Sequence, residues 1–172
     1  MTGKELALWT IRVCSALYAV AVALWLHREK PGFPRIARVC WAVACLCFLA
    51  HVVLAFHFYH GWSHLEALKE TARRTAEQTG PSSGNGIYLN YLMAVIWAID
   101  AVWWLRRPAA YESRPRSIEI AVHAFLGFMF FNAVVVFGGG LLRGVGTAAA
   151  TILAAMFAYR VFGPKRMPPT AV

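Results

Sequence analysis

Apolar and polar positions fall along this chain in long blocks, not in short alternation. Residues 6–26, 39–59, 87–105 and 118–137 are almost wholly apolar. At about 1.5 Å per helical residue each matches a hydrocarbon core of about 30 Å. A fifth, shorter apolar block covers residues 145–162. One polar block has a period of its own: across residues 64–79, Leu65, Leu68, Ala72 and Ala76 fall on one side of a helix, and Ser63 followed by Glu66 has the form of a capping box. A Gly/Pro/Ser-rich loop closes it at residues 80–86. The pattern predicts an all-α fold, a polytopic membrane bundle of five transmembrane helices plus a short interfacial helix on the outer side. Residues 1–172 form a single integral-membrane domain in this reading. The first block carries one charge, Arg12, and runs through Trp25 and Leu26 into a basic loop with no small-residue cleavage site, so it is expected to remain as a span.

Composition agrees with that assignment. Hydrophobic residues make up 59% of the chain and charged residues 15%, against about 25% charged in soluble domains. The net charge of +9 does not lead to nucleic acid, because the basic residues sit in clusters between apolar blocks and not along one polar face. Those clusters instead set an orientation. With five spans, eleven Lys/Arg, including Arg28, Lys30, Arg35 and Arg38 in one loop and Arg106, Arg107, Arg114 and Arg116 in another, fall on one side, and five (Lys4, Lys69, Arg73, Arg74, Arg143) fall on the other. The positive-inside rule then places the amino terminus outside and the carboxyl terminus in the cytoplasm. Cys14, Cys40, Cys45 and Cys47 all lie inside apolar blocks and read as small buried residues.

Two constellations carry candidate chemistry. The first is at the outer end, where His57, His60 and His64 come within about 60° of one another if the second helix continues past Gly61, with Asn90, Tyr91 and Asn132 expected to support the imidazoles from neighbouring spans. Imidazoles at this spacing suit a transition metal ion, Cu, Zn or Fe. An interfacial aromatic belt of Phe56, Phe58, Tyr59 and Trp62 accounts for the same stretch without a metal. A b-type haem fits less well, since His51 and His64 are turned about 220° apart on one helix. The second constellation is a buried polar pair, Asp100 and His123, at one depth near the inner end of adjacent spans. Gly146, Ala150, Ala154 and Ala158 form a small-residue face suited to a membrane-protein partner or a second copy of the chain. No enzyme motif is present. The functional expectation is a histidine-cluster metal protein, with an accessory or scaffold subunit of a larger membrane complex as the alternative.

Overall fold

The computed structural model describes residues 2–137 and 140–162. It is all-helical among the described residues, in the order α1 (Gly3–Leu26), α2 (Phe33–Phe58), α3 (His64–Thr79), α4 (Gly86–Arg106), α5 (Pro108–Glu112), α6 (Arg116–Phe131) and α7 (Gly140–Phe162), with a π-helical turn, Asn132–Val136, extending α6. Four helices, Gly3–Leu26, Phe33–Phe58, Gly86–Arg106 and Arg116–Val136, are long and apolar enough to cross a membrane. Leu46, Val95, Ile99 and Val102 stand exposed along their outer surfaces, as side chains in contact with lipid do. The protein is therefore an integral membrane helical bundle. The fifth expected span falls in α7, whose apolar stretch among the described residues, Gly146–Tyr159, is shorter than the other four. Gly138 and Gly139, between the fourth and fifth apolar blocks, and Lys165 and Arg166, two of the eleven Lys/Arg counted on one side, lie outside the described residues.

Local sequence explains the boundaries. Thr2 and Glu5 form a reciprocal capping box at the start of α1. Pro34 sits in the first turn of α2, where its missing N–H costs nothing. Ser63 caps α3 by accepting from the Glu66 N–H, so the expected start is correct. The Glu66 carboxylate turns to Lys69, and α3 has only half of the expected box. Helix α3 is otherwise laced by exposed ion pairs from Glu70 to Arg73 and Arg74 and from Arg73 to Glu77.

The core is aromatic. Tyr18 of α1 stacks on Phe130 at 3.9 Å and meets Trp41 of α2 and Trp97 of α4 at 5.7 and 5.9 Å. Helices α1 and α2 form the most extensive interface, and α4 and α6 close over it. Helix α7 packs against the π turn, where a Cβ on Gly146 would collide with Val134, so this close approach requires glycine. The small-residue face is thereby divided: Gly146 and Ala150 turn at least partly inward, while Ala154 and Ala158 stay exposed.

Candidate functional site

The two expected constellations fare differently. Helix α2 ends at Phe58, and Gly61 and Trp62 take left-handed backbone conformations with φ of +54° and +63°. A non-glycine residue at positive φ is uncommon, and this pair turns the chain sharply before α3. The premise that aligned the three histidines, an uninterrupted helix past Gly61, is thus corrected. His57 Nδ1 accepts from the Trp62 indole N–H at 3.2 Å, which leaves the proton of the neutral ring on Nε2. The His64 ring shares hydrogen bonds with the Tyr91 and Tyr88 hydroxyls at 2.9 and 3.4 Å, so both of its nitrogens are engaged. His60 lies against Phe56, and burial lowers its pKa while Glu70 pulls in the opposite sense. Asn90 is exposed, and the Asn132 amide turns back to donate to the Phe128 carbonyl. Among the described residues no group of three or more His, Cys, Asp or Glu is placed to hold a metal ion. His51 donates to the Ala7 carbonyl and His27 to the Ala23 carbonyl.

The end expected to lie inside is built more tightly. Asp100 and His123 are both buried, and among the described residues they are not hydrogen-bonded to each other. Trp41 serves both. Its indole N–H donates to Asp100 Oδ2 at 2.9 Å, and its ring lies 5.2 Å from that of His123. The Tyr111 hydroxyl donates to the same Oδ2 at 2.8 Å. Charge-assisted bonds of this kind contribute about 1.5–3 kcal/mol each, which offsets part of the cost of holding a carboxylate away from water. The His123 ring rests on Trp25 at 4.3 Å, and neither of its nitrogens has a hydrogen-bonding partner among the described residues.

Arg114 completes the cluster. Its guanidinium lies 3.5 Å above the Tyr111 ring, whose other neighbour, Trp104, is stacked at 4.6 Å. The short α5 helix places both Tyr111 and Arg114 by folding the connection back under the bundle. The Arg114 side chain is only 2% exposed, and the nearest carboxylate contact is Nη1 to Asp100 Oδ1 at 3.9 Å. None of its three nitrogens is hydrogen-bonded among the described residues. Burial lowers its pKa, and the facing Asp100 charge acts against that. Beside it is a cavity of about 160 Å³, lined by the Trp25, Trp104 and Tyr111 rings, the ion-paired Arg28 and Glu119, and Glu112. Arg28 also stacks over Trp25 at 4.6 Å.

Sequence reasoning found Asp100 and His123 and missed Trp41, Tyr111 and Arg114. Arg114 was counted as one more loop charge. Its spacing of three from Tyr111 beyond Pro108 was the available signal for a turn that brings the two together. In comparison with known proteins the chain matches no protein-family model, no curated protein and no solved structure.

Proposed function

We propose that this integral membrane protein binds a small anionic group in the pocket at the basic end of its bundle, with Arg114 as the principal donor. One observation carries the reading: a guanidinium almost wholly removed from solvent belongs to a residue that lines a cavity, while none of its nitrogens is hydrogen-bonded among the described residues. A buried polar group without partners costs free energy, and a planar fork of donors matches a carboxylate or phosphate oxygen pair. The surrounding loops strengthen the field, since Arg28, Lys30, Arg35, Arg106 and Arg107 belong to the same end. The excess of basic residues there supports a cytoplasmic position for this end, with the amino terminus outside, α7 as the fifth span and the carboxyl terminus inside. A role as an accessory subunit, held to a partner through the exposed Ala154 and Ala158, draws on α7 alone and leaves Arg114 without an explanation.

The test is anion binding by the purified full chain. Inorganic phosphate at about 100 times its Kd is expected to stabilise the protein by about 2.7 kcal/mol. Arg114→Lys keeps the charge beside Asp100 but loses the fork, and is expected to fold while binding at least tenfold more weakly. In membranes, phosphate is expected to reach the site in inside-out vesicles and not in right-side-out ones. Undiminished binding by Arg114→Lys, or protection only from the outer face, would overturn the proposal.

A further inference from the structure

The charges lining the pocket specify more than an anion. Arg28 and Glu119 neutralise each other in a direct ion pair. Two charged side chains remain without a hydrogen bond among the described residues, the Arg114 guanidinium, whose charge Asp100 balances from behind, and the Glu112 carboxylate. Glu112 is exposed at the mouth, and among the described residues it makes no hydrogen bond or ion pair, including none with Arg114. Arg114 is held back over Tyr111 by its stack on that ring, with Asp100 behind it. A simple anion supplies acceptors to Arg114 but adds a negative charge to a pocket that already has Asp100 behind the guanidinium and Glu112 in its lining, and like charges weaken binding. A ligand with an oxyanion and an ammonium group on one short chain satisfies both.

Deepening the pocket reading above, on which it rests, we infer that the occupant is a zwitterionic head group, with its phosphate on Arg114 and its ammonium on Glu112. A lipid is the source favoured by position. The pocket sits where the spans α4 and α6 meet the connecting loops, which is the depth of head groups beside a hydrocarbon core. Its size also fits, since about 160 Å³ corresponds to roughly five waters at about 30 Å³ each, enough for a head group and too small for acyl chains. The rings of Trp25 and Trp104, both buried in the bundle core, form the apolar wall of the cavity. The electrostatics separate this occupant from a purely anionic lipid such as phosphatidylglycerol, which offers nothing to Glu112.

The experiment uses the full chain, purified and titrated separately with short-chain phosphatidylethanolamine, short-chain phosphatidylglycerol, free phosphoethanolamine and inorganic phosphate, with bound mass read by native mass spectrometry. Phosphatidylethanolamine is expected to bind about tenfold more tightly than phosphatidylglycerol. Glu112→Gln, a change at an exposed position that leaves the fold intact, is expected to erase that preference while phosphate still binds. Arg35→Gln, an exposed basic residue outside the pocket, is expected to change neither. Tighter binding of phosphatidylethanolamine than of free phosphoethanolamine assigns the site to lipid, whereas the reverse overturns the lipid source. Equal affinity for the two lipids, unaltered by Glu112→Gln but lost in Arg114→Lys, overturns the zwitterion and leaves the anion pocket standing. If none of the four ligands binds the wild type, both readings fall.

Discussion

The two ends of this bundle hold similar numbers of polar side chains and treat them in opposite ways. At the end expected to lie outside, His57, His60, His64, Tyr88 and Tyr91 lie mainly near the surface, joined in twos and threes. At the end expected to lie inside, Asp100, His123 and Arg114 are buried around Trp41 and Tyr111, and the loss of any one changes the surroundings of the others. A dense run of histidines is conspicuous in sequence, yet solvation at an interface is enough to collect it there. A buried ionic group in a membrane protein requires a structural or functional compensation, and among the described residues the Asp100 end holds such a group.

The largest effect that distinguishes the ends is expected from Asp100→Asn. The amide still accepts from Trp41 and Tyr111 but no longer neutralises Arg114, and the loss should be on the order of 3–5 kcal/mol, as when one partner of a buried pair is removed. Unfolding in mixed micelles measures it, and a loss below about 1 kcal/mol would remove the contrast between the two ends. Intermediate in size are His57→Ala, His60→Ala and His64→Ala. Each removes at most one or two hydrogen bonds at an accessible site and should cost about 0.5–1.5 kcal/mol, with the metal content of the purified protein the same as in the wild type. Metal present in the wild type and lost from His60→Ala or His64→Ala would move the functional weight to the outer end.

The smallest effect concerns α3 and acid. Hydrogen bonds from Arg73, and then from Arg74, hold the Glu70 carboxyl at about 2, below its ordinary value of 4.5. A carboxyl with a lowered folded-state pKa contributes fully above its unfolded value and loses that contribution as pH falls from about 4.5 towards 2. Because the pair is exposed, solvent screening keeps the effect small. Amide exchange protection along α3, corrected for intrinsic rates, is expected to fall modestly over that window while α4 is unchanged. Equal protection at both pH values would show that the Glu70 pairs contribute nothing.

Most of the architecture was legible because lipid imposes its demand over some 20 consecutive residues, and such a signal survives local irregularity. The start of α3 was legible for a different reason, since Ser63 is a strong local cap. Depth arithmetic singled out Asp100 and His123, and both are buried. It did not identify Trp41 as the residue between them, since that depends on how α2 is rotated. The helix continuation on which the histidine alignment depended ends at Phe58, and the positive φ of Gly61 and Trp62 turns the chain there, an event that side-chain periodicity does not encode. Arg114 was hidden by its company: in a cluster of four arginines around a loop, each reads as an orientation signal, and one of them is buried.

The broad seam between α1 and α2 also bears on the order in which the molecule is made. A ribosome delivers the amino-terminal part of a chain first. Trp25 and Trp41, which support the inner cluster, therefore enter the membrane on one helical hairpin before Asp100, Tyr111, Arg114 and His123 have been synthesised. The residues most costly to place in lipid arrive last, and the aromatic surface that receives them is already in position.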